Sequence, residues 1–286
     1  MVTNEVVKID IDRPITIAIL AKDKAHILPL YLKQIEQQTF PAAHTKLYIR
    51  TNNNRDNTAE ILERWLDRVG SRYSEVYYDA SDVPQPVQDY SPHEWNILRL
   101  KVLGGLRQQS VDWAKARGTH YFVPDCDNII LPDTLQTLLE TGLPVVGPLL
   151  KNGDDPASLY SNYHNIADEN GYFQSSKEYY EIFYQTIKGL IQVDVVHCTY
   201  LVRHEVLDKV RYDDGSSRFE YVIFSDTLRK LGIAQYLDNR RLYGKLTFCD
   251  TPQALAEKFL GSDLHGLTFS LDGLIEPPPA EAPPAG

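Results

Sequence analysis

The stretch YFVPDCDN, residues 121–128, decides the fold prediction because it runs an apolar segment directly into two aspartates. Residues 121–123 have the pattern of a buried strand, and Asp125 and Asp127 fall in the turn that follows. In open α/β sheets, ligands bind beyond the carboxyl ends of the strands. The two aspartates are therefore expected at the ligand-binding edge of a sheet.

Strand and helix patterns alternate on both sides of this stretch. Before it, strands are predicted at 15–20, 47–49 and 76–78, and helices at about 29–40, 58–69 and 99–117. After it, strands are predicted at 143–150 and 192–202, and a short helix ends at residue 231. This order predicts an α/β fold with a mostly parallel sheet and helices on both faces. We expect residues 1–270 to form one domain and the Pro- and Ala-rich residues 271–286 to form a disordered tail.

Composition excludes several classes of protein. The formal net charge of −10 without a run of Lys or Arg disfavours nucleic-acid binding. The chain contains no apolar run of about 18 residues and begins without a signal-peptide pattern, so we expect a cytoplasmic protein with no membrane span. Three cysteines without metal-ligand spacing suit a reducing compartment. The eighteen tyrosines offer hydrogen-bonding aromatic surface of the kind that lines sugar-binding clefts.

Asp125 and Asp127 are candidates for binding a divalent cation. A hard cation held by carboxylates neutralises a diphosphate group as its bond to a sugar breaks. The pattern by itself is common, since Asp10 and Asp12 repeat it ahead of the first predicted strand. The alternative is a structural turn in which the two aspartates cap the next helix.

Short motifs are spread in order over residues 15–246. They are ILAK at 19–22, KAH at 24–26, LP at 28–29, DNT at 56–58 with Trp65, YFVPDCDN at 121–128, LPVVGP at 143–148, YSN at 160–162, VHCT at 196–199 and YG at 243–244. Together they resemble the procollagen galactosyltransferases and the glycosyltransferase domain of lysyl hydroxylases. Several motifs in one order are far more specific than any one of them.

The resemblance implies a GT-A type fold, a UDP-sugar donor carrying galactose or glucose, and Mn²⁺ or Mg²⁺ bound by Asp125 and Asp127. It also implies transfer with inversion, in which a general base takes the proton of the acceptor hydroxyl. The acceptor of that family is hydroxylysine in collagen. We do not carry this acceptor over, because the animal enzymes have a secretory signal and a retention tail that this sequence lacks.

The resemblance also assigns expected contacts to the donor. The ends of the first two predicted strands are expected to meet the nucleotide, and Arg107 matches a basic position that faces the diphosphate or the base. Trp95 and Arg99 match the family pattern too, although an exposed arginine on a helix is usually only solvated. The expected donor-binding residues are Ala21, Lys22, Thr51, Asn53, Arg107 and Asp125.

The positions that match the family also include candidates for a third metal ligand and for the general base. His197 is the expected third ligand, with His265 as the alternative; the competing interpretation of His197 is a satisfied core residue. Glu220 is the expected base, because it matches the second carboxylate of a family pair whose first member is Phe219 in this chain. Arg241 and Leu242 depart from the family pattern as well. Nearby competitors for the base are Asp213, Asp214 and Asp226.

Two other functions are compatible with the same residues. A metal-dependent phosphate-ester hydrolase or nucleotidyltransferase uses a similar pair of aspartates on a related sheet. A non-catalytic member that binds a nucleotide sugar without turning it over would retain most of the motifs. The change to Phe219 is the feature that supports the non-catalytic alternative.

Overall fold

The computed structural model describes residues 13–84, 96–153, 155, 157–259, 263–264 and 267–268 of the 286. Trp95, His265 and the predicted tail at 271–286 lie outside these residues. None of the described helices combines the length and the apolar character needed to cross a membrane.

The described residues form fifteen strands and seven α-helices. The strands are β1 (Ile15–Ala21), β2 (Thr45–Thr51), β3 (Glu75–Asp79), β4 (His120–Pro124), β5 (Asn128–Ile130), β6 (Val145–Pro148), β7 (Leu150–Asn152), β8 (Tyr163–His164), β9 (Leu190–Val193), β10 (Val195–Val196), β11 (Thr199–Val202), β12 (Gln235–Asp238), β13 (Gly244–Leu246), β14 (Asp263–Leu264) and β15 (Leu267–Thr268). The helices are α1 (Leu28–Glu36), α2 (Thr58–Val69), α3 (Ile97–Ala116), α4 (Thr134–Glu140), α5 (Lys177–Phe183), α6 (Glu220–Lys230) and α7 (Pro252–Phe259). Three short 3-10 helices lie at Ala42–His44, Gly70–Arg72 and His204–Lys209.

Eight strands form the central sheet in the order β3-β2-β1-β4-β11-β6-β12-β9. Strands β3, β2, β1 and β4 pair in parallel, as do β6 and β12. Strand β11 runs antiparallel to both of its neighbours, and β9 runs antiparallel to β12. The predicted α/β fold with a mostly parallel sheet is confirmed, and the antiparallel strands make it a mixed sheet. A smaller sheet, β5-β13-β7, follows the acidic turn.

The sheet is covered on both faces, as the alternation of its buried residues shows. Ile17 and Ile19 of β1 and Phe122 of β4 pack into one core cluster, which includes apolar side chains of α1, α2 and α4. Ala18 of β1 and Tyr121 of β4 pack into a second cluster, with side chains of α3, α5 and α6. Successive residues of a strand point to opposite faces, so a strand that is apolar throughout requires a cover on each side.

Two predicted strands are shorter in the structure than in the sequence pattern. The predicted strand 143–150 is divided into β6 and β7, which belong to different sheets, with Leu149 between them. The predicted strand 192–202 is divided into β9, β10 and β11, so the placement of His197 near the middle of a strand is wrong. Cys198 adopts a left-handed conformation with φ of 63°, which interrupts the extended chain.

Gly104 lets helix α3 lie close to the chain at Tyr212. A Cβ on Gly104 would lie 2.8 Å from the Tyr212 carbonyl oxygen, whereas a Cβ on Gly105 would meet nothing within 4 Å. We expect Gly104→Ala to reduce the free energy of unfolding by about 1–3 kcal/mol because backbone must move. Gly105→Ala, the matched control, should raise it by up to about 1 kcal/mol because alanine favours helix. Urea denaturation of both variants tests this, and equal effects would contradict it.

Candidate active site

The acidic turn lies at the carboxyl end of β4, as the sequence predicts. The Asp125 amide donates to the Cys198 carbonyl oxygen at 2.8 Å, and the Asn128 amide donates to the Asp125 carbonyl oxygen at 3.0 Å. Strand β5 begins at Asn128, directly after the turn. The alternative in which Asp125 and Asp127 cap the next helix is therefore wrong, because the residue before α4 is Asp133.

Each carboxylate of the turn faces a cation from another part of the chain. Arg107 Nη2 lies 2.8 Å from Asp125 Oδ1, and Lys24 Nζ lies 3.0 Å from Asp127 Oδ2. Arg107 comes from α3, and Lys24 from the loop between β1 and α1. The turn thus brings together both signs of charge at one edge of the sheet.

The loop that carries Lys24 is held by the DNT motif at 56–58. The Thr58 hydroxyl accepts a hydrogen bond from the Lys24 amide at 2.8 Å, and Asp56 Oδ2 accepts one from the Ala25 amide at 3.0 Å. Asp56 Oδ1 accepts from the Thr58 amide at 3.0 Å. Two motifs that are distant in sequence are therefore parts of one structure that positions Lys24.

Arg107 is a buried cation, and one of its three guanidinium nitrogens has no hydrogen-bond partner within the described residues. Its side chain is buried, and Nε lies 3.3 Å from Glu220 Oε1 while Nη2 bonds to Asp125. Burial acts to lower the pKa of Arg107, but the nearby Asp125 and Glu220 carboxylates keep it well above the usual range. Nη1 is buried and has no hydrogen-bond partner within the described residues. A buried donor without a hydrogen-bond partner costs about 1–3 kcal/mol. An anion bound to Arg107 would supply that partner.

Asp125 has an electrostatic environment that a bound cation would relieve. Burial raises the pKa of Asp125 to about 6, with Arg107 opposing the rise and the neighbouring Asp127 carboxylate adding to it. The two carboxylates are hard oxygen ligands of the kind that Mn²⁺ and Mg²⁺ prefer. Across the described part of the chain, no three His, Cys, Asp or Glu side chains lie close enough together to hold a metal ion. A third protein ligand, His197 or His265, therefore stays a prediction.

A cleft of about 1550 Å³ opens beside the acidic turn. Five of the predicted site residues line it: Ala21, Lys22, Arg107, Asp125 and Asp127. Among the described residues, its walls carry ten Lys and Arg against six Asp and Glu, although the chain as a whole has a net charge of −10. The cleft is thus a cationic site on an acidic protein, which favours an anionic ligand. The basic residues on its walls are Lys22, Lys24, Lys33, Arg50, Arg55, Arg64, Arg68, Arg72, Arg99 and Arg107.

Thr51 and Asn53 are buried behind the cleft wall, and Asn52 between them lines the cleft. Thr51 Oγ1 accepts a hydrogen bond from Asn54 Nδ2 at 2.6 Å. The Asn53 amide donates to Asp82 Oδ1 at 2.7 Å, and its side-chain oxygen accepts from the Val83 amide at 3.0 Å. These bonds shape the loop after β2, so contact of Thr51 and Asn53 with a donor stays a prediction.

His197 lies among aromatic rings rather than in a three-residue cluster with the aspartates. Its Nδ1 is 2.9 Å from Cys198 Sγ, and its ring centroid is 4.9 Å from that of Tyr221 and 5.4 Å from that of His164. Burial, with His164 nearby, lowers the pKa of His197 well below the usual range, so the imidazole is neutral. The structure thus favours the core interpretation of His197, and its role as a metal ligand stays a prediction.

Glu220 is the first residue of α6 and is buried against Arg107, and within the described residues it is not part of the cleft wall. Its competitors have other partners. Asp226 pairs with Arg218, Arg229 and Lys230. Asp214 is partly buried, which acts to raise its pKa, but hydrogen bonds from Ser216 and Arg218 lower that pKa to about 2. Asp213 accepts a hydrogen bond from the Gly215 amide. Among the described residues, Glu220 is therefore the one of these four carboxylates that forms an ion pair with a residue of the cleft wall, Arg107.

Comparison with known families decides the classification. Residues 13–267 match the model of the N-terminal domain of glycosyltransferase family 25. This chain belongs to glycosyltransferase family 25. The resemblance seen in the short motifs is thereby confirmed.

Curated members of family 25 match almost the whole chain. The chain is 29% identical over 275 residues to the probable inactive glycosyltransferase 25 family member 3 of Bos taurus, covering 93% of this chain and 45% of that protein. It is 28% identical over 277 residues to procollagen galactosyltransferase 2 of Homo sapiens, covering 93% of this chain and 43% of that protein. The family 25 chain therefore spans less than half the length of these relatives.

Two solved structures share the fold over most of this chain. TarS 1–349 of S. aureus in complex with UDP-GlcNAc superposes with a TM-score of 0.51 at 13% identity, covering 88% of this chain and 68% of TarS 1–349. The mannosyltransferase PcManGT of Pyrobaculum calidifontis in complex with GDP-Man and Mn²⁺ gives a TM-score of 0.52 at 11% identity, covering 82% and 56%. At these identities the likeness concerns the fold alone, and it confirms the predicted GT-A fold for this family 25 chain.

Proposed function

We propose that this chain transfers a hexose, galactose or glucose, from a UDP-sugar to an acceptor hydroxyl with inversion, and that Asp125 and Asp127 bind Mn²⁺ or Mg²⁺. The observation that carries the proposal is Arg107, a buried guanidinium from the wall of a cationic cleft. It is ion-paired with Asp125 and Glu220, and its third nitrogen has no hydrogen-bond partner within the described residues. That arrangement suits a diphosphate leaving group.

Residues at this edge of the sheet are proposed to take different roles in the reaction. The acceptor oxygen bonds to the anomeric carbon as the bond from that carbon to the diphosphate breaks, and UDP leaves with the electron pair. Arg107 Nη1 and Lys24 supply positive charge to the diphosphate, and Glu220 is proposed to take the acceptor proton. When bound, the divalent cation supplies Lewis-acid stabilisation of the leaving group.

The known structures support this proposal by analogy. TarS is solved with UDP-GlcNAc, and PcManGT is solved with GDP-Man and Mn²⁺, so the same fold accommodates a nucleotide sugar and a metal. A second candidate is a non-catalytic protein that binds a nucleotide sugar. It is favoured by the family 25 relative described as probably inactive.

Binding of the donor and its turnover can be measured separately. We expect UDP-galactose or UDP-glucose with Mn²⁺ at 100 times its dissociation constant to raise the free energy of unfolding by about 2.7 kcal/mol. EDTA should remove that stabilisation, and GDP-mannose serves as the matched control. Release of UDP on addition of an acceptor panel tests transfer. Stabilisation without UDP release under any acceptor favours the non-catalytic candidate, and absence of stabilisation by both UDP-sugars contradicts the proposal.

A further inference from the structure

A continuous group of aromatic rings lies beside the acidic turn. Ring centroids are 5.4 Å apart for Phe248 and Tyr160, 6.0 Å for Tyr160 and His197, and 4.9 Å for His197 and Tyr221. His164 joins them at 5.4 Å from His197. Phe173 lies 5.5 Å from His164. We call these residues the aromatic patch: Tyr160, His164, Phe173, His197, Tyr221 and Phe248.

Backbone hydrogen bonds fix the aromatic patch to the acidic turn on two sides. The Thr247 amide donates to the Asp127 carbonyl oxygen at 3.0 Å, which places Phe248 one residue from this bond. The Asp125 amide donates to the Cys198 carbonyl oxygen at 2.8 Å, which places His197 next to that bond. Phe248 also lines the cationic cleft. The aromatic patch therefore continues from the cleft past the proposed metal site.

The outer rings of the aromatic patch are unusually open to solvent for their size. Phe248 is 48% exposed, and Tyr160 and Phe173 are each 43% exposed. Neighbouring exposed aromatic rings at the mouth of a cleft mark a binding surface. Beneath them, His164 and His197 are buried. His164 Nδ1 has no hydrogen-bond partner within the described residues, so the floor of the patch keeps a polar group unsatisfied.

The aromatic patch carries no formal charge. Its exposed rings, Tyr160, Phe173 and Phe248, are uncharged side chains near pH 7. Carboxylates close to the patch are ion-paired: Glu220 with Arg107, Asp127 with Lys24 and Asp194 with Arg229. A cationic peptide acceptor would find no unpaired partner among these three. A sugar combines an apolar face, which stacks on rings, with hydroxyls, which bond to phenol and imidazole.

We propose that the aromatic patch is the acceptor subsite and that the acceptor is a carbohydrate, whose sugar ring stacks on Tyr160 and Phe248. The proposal rests on the proposed function, because it assigns the second substrate of the same site. It commits to a glycan acceptor rather than a peptide.

Ligand-observed saturation-transfer NMR tests the subsite without requiring turnover. The probes are a hydroxylysine peptide and the methyl β-glycosides of galactose, glucose, mannose and N-acetylglucosamine, each measured on the full chain with and without UDP and Mn²⁺. We expect at least one glycoside to receive saturation from the protein. Tyr160→Leu should weaken that binding about tenfold, as expected for loss of one aromatic stacking contact. Tyr160→Phe, which keeps the ring, should restore it.

Two controls keep the outcomes distinct. Tyr184→Leu removes a tyrosine that is 60% exposed and outside the aromatic patch, and it should leave glycoside binding unchanged. The melting temperature of each variant reports its folding. UDP binding without binding of any glycoside would overturn the subsite and leave the proposed function standing. Glycoside binding without UDP binding would overturn the proposed function, and with it the acceptor role of the aromatic patch, which would then be a sugar-binding surface only. Saturation of a hydroxylysine peptide in place of every glycoside would overturn the carbohydrate assignment.

Discussion

Asp127→Asn is expected to reduce the rate of hexose transfer at least about 100-fold, because it removes one of two carboxylates proposed to hold the cation that stabilises the leaving group. The fold should change little. Asp127 and Lys24 are both partly exposed, and such an ion pair contributes at most about 1 kcal/mol. Transfer rate, Mn²⁺ affinity and melting temperature measured together test this.

Asp125→Asn should lower transfer as strongly but also destabilise the protein. Its partner Arg107 is buried, so loss of the carboxylate leaves that guanidinium with Glu220 as its remaining ion-pair partner, at a cost of about 1–3 kcal/mol. Asp133→Asn is the matched control, because Asp133 pairs with Arg241 at a partly exposed position. Transfer at the wild-type rate in Asp125→Asn or Asp127→Asn would contradict the metal assignment.

The sequence was sufficient to predict the strand that leads into the acidic turn. Residues 121–123 are apolar without interruption, and both faces of β4 are indeed buried. The same rule fails at 192–202, where apolar residues are interrupted by Gln192, Asp194 and His197 and the chain contains the left-handed Cys198. Hydrophobicity reports burial and does not report a local change of backbone direction, so three strands were predicted as one.

The charge partners of the site are set by tertiary structure. The resemblance singled out Arg107, but its contact with Asp125 spans 18 residues and its contact with Glu220 spans 113. Lys24 belongs to the KAH motif, and its contact with Asp127 spans 103 residues. Periodicity carries no information on such pairs. The one feature of the sequence that points to Lys24 is the KAH motif at 24–26. Its role becomes clear only in the structure, where the distant DNT motif holds this loop in place.

The aromatic patch could not be predicted from the sequence either. Eighteen tyrosines suggested a sugar-contacting surface, yet composition alone does not identify which of them meet at the cleft. Tyr160, Tyr221 and Phe248 come from three separate segments. The fold brings Tyr160 and Tyr221 against His197, and Phe248 against Tyr160.

Glu220→Gln is expected to reduce transfer by about 10²–10⁴-fold while the affinity for the UDP-sugar stays nearly unchanged. Glutamine retains a side-chain oxygen that can accept the hydrogen bond from Arg107 Nε, now 3.3 Å from Glu220 Oε1, so the guanidinium should keep its place. What glutamine lacks is the ability to accept the proton of the acceptor hydroxyl. A fall in turnover without a fall in donor affinity is therefore the signature of a base.

The alternative is that Glu220 only positions Arg107. Glu220 is buried and lies outside the described cleft wall, and both observations favour this alternative. In that case Glu220→Gln should have little effect on turnover, and Glu220→Ala should weaken donor binding because Arg107 loses a partner. Asp226→Asn is the matched control, since Asp226 contacts three cations on the same helix and its neighbouring loop, and its loss should lower stability rather than turnover. Wild-type turnover in Glu220→Gln, with collapse in Asp213→Asn, Asp214→Asn or Asp226→Asn, would move the base to that aspartate.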